Sequence, residues 1–182
     1  HYASCTGGST RYHAAARGMT EEEAQAWLDA RGWWNGAAGD RLRRFVDLVL
    51  AESDRQNLIS SASKSQIWSR HIVDSLQLLD LLPSGAREAG LWVDLGTGAG
   101  FPGFAIACVR AAPTRLIEIR PLRVAFLREC ARALHFGHVE IIGSKVENAF
   151  LPAPAAVICA RAYAPLDRPL ASAHHLADDN TI

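Results

Sequence analysis

Between Leu91 and Ala160 four short apolar runs, LWVDL (91–95), RLIEI (115–119), HVEIIG (138–143) and AAVICA (155–160), are separated by stretches with helical spacing. The runs are nearly continuous in apolar residues rather than alternating, the pattern of strands covered on both faces. Pro102, after the first run, suits the first turn of a helix that continues to about Arg110. Pro121, after the second, opens a helix with Val124, Leu127, Ala131 and Leu134 on one side and Arg128 and Arg132 on the other. Strands alternating with helices imply an α/β fold built on a doubly wound, mainly parallel sheet.

Ahead of the sheet the spacing is helical. Thr20 followed by Glu23 makes a capping box that starts a helix reaching about Trp34. Asn35 to Gly39 is a break. From Asp40, the apolar residues Leu42, Phe45, Val46, Val49 and Leu50 mark a second, amphipathic helix. NLISSAS (57–63) is a polar loop, and IWSRHIVDSLQLLDLL (67–82) is helical up to Pro83. The expected organisation is therefore an extension over residues 1–18, a helical N-terminal cap over 19–90 and an α/β domain over 91–182. Residues 1–18 lack apolar periodicity and precede the sole methionine, Met19, so they are expected to be disordered and without a role. LDRPLASAHHLADD (166–179) reads as a fourth helix with only Asn180-Thr181-Ile182 after it. The last strands usual for such a sheet are expected to be missing.

The chain of 182 residues, 49% hydrophobic and 21% charged, is sized for one ordinary core. No apolar run approaches the roughly 18 residues of a membrane helix. Cys5, Cys108, Cys130 and Cys159 form no C-x-x-C pair, which fits free thiols in a cytoplasmic protein and no metal site. The formal net charge is zero, so the whole molecule exerts no long-range pull on a polyanion. Locally, Arg110, Arg115, Arg120, Arg123, Arg128 and Arg132 face only Glu118 and Glu129, which makes a basic surface or a solvated helix face.

The first strand leads into VDLGTGAGFPG (93–103), whose last six residues satisfy G-x-G-x-x-G. Such a loop lets backbone N–H groups and a helix start approach a ligand. In a dinucleotide site that ligand is a pyrophosphate. Asp94, two residues before the first glycine, opposes it: a carboxylate roughly 5 Å from a phosphate costs about 3 kcal/mol at an effective dielectric near 20. A zwitterionic or cationic ligand gains where phosphate loses, and S-adenosylmethionine carries a sulfonium and an ammonium without phosphate. Glu118, at the end of the second strand, is placed to accept ribose hydroxyls and suits either cofactor. Asp94 separates the two in favour of the methyl donor, unless it caps its own loop or points away, which would reopen a nicotinamide oxidoreductase.

With NLISS (57–61), RHIVDS (70–75), DLGTGAGFPG (94–103), Glu118 with RVAFL (123–127), SKVEN (144–148) and RAYAP (161–165), the chain resembles the bacterial 16S rRNA guanine-N7 methyltransferases, also called glucose-inhibited division protein B, over roughly residues 38 to 182. The resemblance implies a Rossmann-like methyltransferase fold, S-adenosyl-L-methionine as cofactor, and 16S rRNA or a small ribosomal subunit precursor as partner, acted on by a monomer without metal or membrane. It assigns cofactor contacts to Gly96 and Phe101 at the methionine part, Val146 and Glu147 beside the adenine, and Arg161, alongside Asp94, Gly98, Gly100 and Glu118 from the loop pattern above. Arg161 follows the fourth strand, where it would clamp the cofactor carboxylate or an RNA phosphate, or pair with Asp94 or another loop carboxylate. Arg70 and Asp74 are spaced to pair along a helix, and His71 with Asp74 to face the pocket. His174, His175, His135 and His138 read as structural. This chain departs from the family in carrying Leu122 where a lysine is usual and in lacking its final strands.

Guanine N7 offers an exposed lone pair, so no general base is required; Asp94, His71 and Asp74 are the titratable candidates near the chemistry. Catalysis would rest on alignment, with Phe101, Phe104 or Tyr163 as flat surfaces for the base. Lys64, Arg70, Arg123, Arg128 and Arg132 are the candidate phosphate contacts. RAYAP stands where amine methylases carry N/D-P-P-Y/F, which argues against amino-group chemistry. Methyl transfer to a small molecule or protein, and non-catalytic RNA binding, remain the other readings.

Overall fold

The computed structural model describes residues 18–83, 90–161 and 172–182. Helix α1 (Glu21–Asp29) starts at the expected capping box: Glu23 N–H donates to Thr20 Oγ1 at 3.1 Å, and Thr20 N–H to Glu23 Oε2 at 2.8 Å. It stops short of Trp34 because Gly32 turns at φ 69° and Trp33 N–H folds back to the Leu28 carbonyl. Helix α2 (Gly36–Gln56) begins inside the expected break and ends at Asn57, in the left-handed region at φ 48°. The expected polar loop contains a short helix α3 (Ser61–Lys64). The stretch from Trp68 on is irregular: a π turn (Trp68–Val73), one turn of α4 (Asp74–Leu76), then a 3-10 segment (Gln77–Leu81).

Strands β1 (Trp92–Leu95), β2 (Thr114–Ile117), β3 (Val139–Ile142) and β4 (Val157–Ala160) form one parallel sheet in the order β3-β2-β1-β4. Helices α5 (Gly103–Val109) and α6 (Pro121–Ala133) make the first two crossovers. The order reverses between β1 and β4. Their last residues, Leu95 and Ala160, are register partners, so both strands deliver their following loops to one crevice.

Each sheet face has its own apolar cluster. Trp92, Leu116, Val139 and Val157 pack with α1, α2, α5 and α6 in a single core, so the N-terminal helices share the sheet's core. Phe45 of α2 stacks on Phe104 of α5 at 5.2 Å between ring centres. Val93, Leu95 and Ile117 face the other way, onto Val146, Ala149, Ala155 and Leu176. Ile182 lies along β4 in the parallel sense: its N–H donates to Ala156 O and its carbonyl accepts from Ile158 N–H. Of the expected fourth helix (166–179), residues 166–171 lie outside the described residues; the described part ends earlier than expected, in a 3-10 turn (His174–Leu176) that opens into extended chain at Ala177. The expected extension, apart from Gly18, lies outside them too. No described helix is long and apolar enough to cross a membrane.

Candidate functional site

The glycine loop is built as the spacing predicts. Gly96, Gly98 and Gly100 all take positive φ, at 64°, 61° and 97°, a conformation that other residues adopt only with strain. Gly103 is required for a different reason, since a Cβ there would lie 2.1 Å from Leu116 and 2.9 Å from Asp94 Oδ2.

Asp94 is fully buried beneath this loop. Its Oδ2 accepts from the Thr97 hydroxyl at 2.5 Å and from Gly103 N–H at 2.9 Å, so it does cap its own loop. Oδ1 is enclosed and has no hydrogen-bond partner of ordinary geometry among the described residues; the Cys159 thiol lies beside the carboxyl and also reaches the Val93 carbonyl at 3.5 Å. Burial pushes the Asp94 carboxyl up to about 6, against the opposing pull of Thr97, Gly103, the Arg161 charge and the nearby Cys159 thiol.

Glu118, 4% exposed, is the second buried carboxylate. Oε2 accepts from Gly98 N–H at 3.0 Å, and Oε1 from the N–H groups of Ile119 and Arg120, both at 2.9 Å. It ties the glycine loop to the end of β2. With both lone pairs of Oε1 engaged, room for a further donor is left chiefly at Oε2.

Arg161 joins the RHIVDS segment to the crevice. Nη1 reaches Asp74 Oδ2 at 3.3 Å and the Arg70 carbonyl at 3.4 Å, and Nη2 lies 2.8 Å from His71 Nδ1. Its guanidinium sits 5.3 Å from the Phe101 ring centre, and His71 stacks on the same ring at 4.9 Å and 25°. The Arg161 carboxylate partner is therefore Asp74. The expected pairing of Arg70 with Asp74 gives way to this one, because the π turn and β4 bring Arg161 between Asp74 and His71. Burial, followed by the charges of Arg161 and Arg70, brings His71 down to about 4.

Other expected positions are altered by packing. Phe104 is wholly buried against Phe45 and Phe136, so it offers no surface to a base. Tyr163 lies outside the described residues. Lys64 is held by Asp54 at 2.6 Å, Arg115 by Glu140 across β2 and β3 at 2.6 Å, and Arg110 donates to the Gly90 carbonyl. The basic surface is thus left to Arg120, Arg128 and Arg132, exposed, and Arg123, half-buried about 3.5 Å from where a Gly98 Cβ would stand. Burial lowers Arg123 from its ordinary value, as does the Arg120 charge. Val146 is buried in the second cluster, and exposed Glu147 accepts from Ser172 at 2.9 Å. His175 and His138 approach the carbonyls of Ala149 and Ala107. Among the described residues no three His, Cys, Asp or Glu side chains cluster as metal ligands do.

Two residues were missed. Thr97 anchors Asp94, and its signal was a hydroxyl three residues after the carboxylate. Ile119, 54% exposed beside Glu118, was counted as part of a strand, yet it lies just beyond the end of β2.

A family model described as rRNA small subunit methyltransferase G (GidB) matches residues 39–182. The chain belongs to that family. It is 45% identical over 168 residues to the ribosomal RNA small subunit methyltransferase G of Novosphingobium aromaticivorans, covering 90% of this chain and 71% of that protein. It is 42% identical to the same enzyme of Rhizorhabdus wittichii, covering 90% and 74%. Among solved structures, the precorrin-6Y C5,15-methyltransferase of Geobacter metallireducens superposes with a TM-score of 0.50 at 13% identity, over 69% of this chain and 62% of that one. A Methanococcus maripaludis protein assigned to the S-adenosyl-L-methionine-dependent methyltransferases does so at 0.50 and 17%, over 64% and 54%. These two share the fold. The GidB chain is a methyltransferase with the Rossmann-like fold and a methyl donor of the S-adenosylmethionine type, which removes the oxidoreductase alternative.

Proposed function

We propose that this GidB chain transfers a methyl group from S-adenosyl-L-methionine to N7 of a guanine in 16S rRNA, free or in a small-subunit precursor, acting as a cytoplasmic monomer. The observation that carries the reading is Asp94: a fully buried carboxylate whose Oδ1 has no hydrogen-bond partner of ordinary geometry among the described residues, under a loop of three left-handed glycines. A buried negative charge there, only partly offset by Thr97, Gly103 and the Arg161 charge, disfavours a phosphate at the loop and favours a cation. Because Asp94 is buried, it acts on the ligand as a field through the loop rather than as a contact. When bound, the cofactor supplies an electrophilic methyl on a sulfonium.

The chain's own residues supply placement. Gly96, Gly98, Gly100 and Phe101 shape the floor for the methionine part. Glu118 accepts a ribose hydroxyl at Oε2, while exposed Ile119, with Val146 and Glu147 after β3, borders the adenine. Arg161 offers N–H groups to an anion, the cofactor carboxylate or an RNA phosphate. Since N7 brings its own lone pair, neither His71 nor Asp74 needs to remove a proton, and the rate comes from alignment at about 3 to 3.5 Å and exclusion of water. Residues 19–90 form the cap that carries RHIVDS to this crevice, and 91–182 the catalytic domain.

The test is transfer of labelled methyl to purified 16S rRNA and to small-subunit particles, followed by mapping. Label at N7 of one guanine is expected; label on an exocyclic amine, or none on either substrate while donor binding is intact, overturns the reading.

A further inference from the structure

We infer that His71 is a positioning residue for methyl transfer, acting as a hydrogen-bond acceptor that fixes the Arg161 guanidinium. The inference rests on the proposed role of Arg161 at the site. An arginine only donates, so at 2.8 Å from Nη2 the His71 Nδ1 must present a lone pair, and the ring's proton must sit on Nε2. A charged imidazole would set N–H against N–H at that distance. The burial and cationic surroundings that lower His71 oppose that charge, and the charged groups about the ring are Arg161, Arg70 and Asp74.

The acceptor set determines what is left of the guanidinium. Asp74 and the Arg70 carbonyl take Nη1, and His71 takes one Nη2 hydrogen. Nε–H and the second Nη2 hydrogen have no partner among the described residues, and the side chain is 30% exposed. Those donors are adjacent on the planar fork, in position for bidentate contact with an oxyanion. Without His71 the fork can rotate about its contact with Asp74 and lose that edge. The ring has a second role, since its stacking on Phe101 joins the fork to the glycine loop. The π turn at Trp68–Val73 gives the segment this presentation; such turns are rare and frequent at functional sites.

Two substitutions separate acceptor from filler. His71→Asn puts an oxygen near the Nδ1 position and sacrifices volume; His71→Phe keeps the stack on Phe101 and removes the acceptor. If His71 positions Arg161, the Asn variant retains kcat/KM for rRNA within about fivefold, and the folded Phe variant loses about 30- to 100-fold, as a misplaced catalytic contact does. Adding Arg161→Ala to the Phe variant should then cost no more than Arg161→Ala alone. Retained activity in the Phe variant, or a smaller loss there than in the Asn variant, overturns the inference. Donor affinity measured in parallel tells which anion is served: loss there marks the cofactor carboxylate, loss confined to the KM for RNA a phosphate. If Arg161→Ala alone is fully active, the site reading fails; if it is inactive while His71→Phe is not, only the inference fails. Should the Phe variant not fold, nitrogen-15 spectra of the wild-type imidazole decide. A neutral Nε2–H tautomer at pH 6 is expected, and an Nδ1–H or doubly protonated ring overturns it.

Discussion

Asp94 shows how one residue can weaken the fold while serving the site. Its carboxyl lies at about 6 in the folded chain against 3.8 for the ordinary group, so the folded state holds this proton more tightly than the unfolded one. The stabilisation this gives is complete below 3.8 and is lost as pH rises through about 6, a change of about 3 kcal/mol at 1.36 kcal/mol per unit. Asp94→Asn keeps a carbonyl for Thr97 and Gly103 and removes the charge. It should therefore raise stability at pH 8 by about 1 to 3 kcal/mol, measured by urea unfolding, while weakening donor binding at least tenfold. Donor binding carries its own pH signature. Arg161 and Cys159 are the charged and titratable groups beside Asp94, and His71, at about 4, titrates lower. If only ionised Asp94 is competent, affinity should rise roughly tenfold from pH 5 to pH 7, and calorimetry on Asp94→Asn should find that rise gone. The sequence revealed the carboxylate's place before the glycines. Its complete burial was hidden, because that depends on Leu116, Gly103 and Thr97 closing around it.

The strand–helix alternation was legible because a strand buried on both faces leaves an uninterrupted apolar run; three strands form within the expected stretches, and β2 is shifted to start one residue early, at Thr114. The RHIVDS segment was less so: apolar spacing at three and four residues is compatible with α, π and 3-10 turns alike, and its irregularity follows from tertiary partners such as Glu21, which accepts Trp68 and Ser69 N–H from α1. Pairings of the arginines were equally hidden, since Arg161 and Asp74 are 87 residues apart. Glycines within the one loop differ in the same way, and substitution separates them. Gly103→Ala meets Leu116 and Asp94 in the core, so it should destabilise the chain by about 2 to 3 kcal/mol or force α5 to shift. Gly98→Ala meets the end of Arg123 and the Gly96 carbonyl only at ordinary contact distance but must hold φ at 61°, a strain of about 1 to 2 kcal/mol. The first should lower the urea midpoint more. The second should fold and lose donor affinity, because relief of that strain swings the residue-98 N–H away from Glu118, the loop's hold on β2. Equal midpoints for the two variants would mean that the β1–α5 junction tolerates a side chain.

A molecule with zero formal net charge must bind RNA through the arrangement of its charges rather than their sum. The fold performs that arrangement by pairing or burying some arginines and releasing others: Arg115 pairs with Glu140, Arg110 is buried with its guanidinium on the Gly90 carbonyl, while Arg128 and Arg132 stand exposed along α6. Helix α6 begins three residues after Glu118, and its first turn brings Arg123 near the glycine loop at Gly98, so a phosphate backbone on this face would end at that loop. Each exposed arginine that meets a phosphate releases condensed counterion, worth about 0.7 to 0.9 in the slope of log affinity against log salt. Arg128→Ala and Arg132→Ala should each reduce that slope by nearly one and weaken rRNA binding at low salt, with donor affinity unchanged. Arg115→Ala should leave the slope alone, since its charge is already answered by Glu140, although the β2–β3 edge loses an ion pair. If all three variants keep the wild-type slope, the RNA does not run along α6, and its path to the crevice must lie over the cap, where Arg70 is exposed.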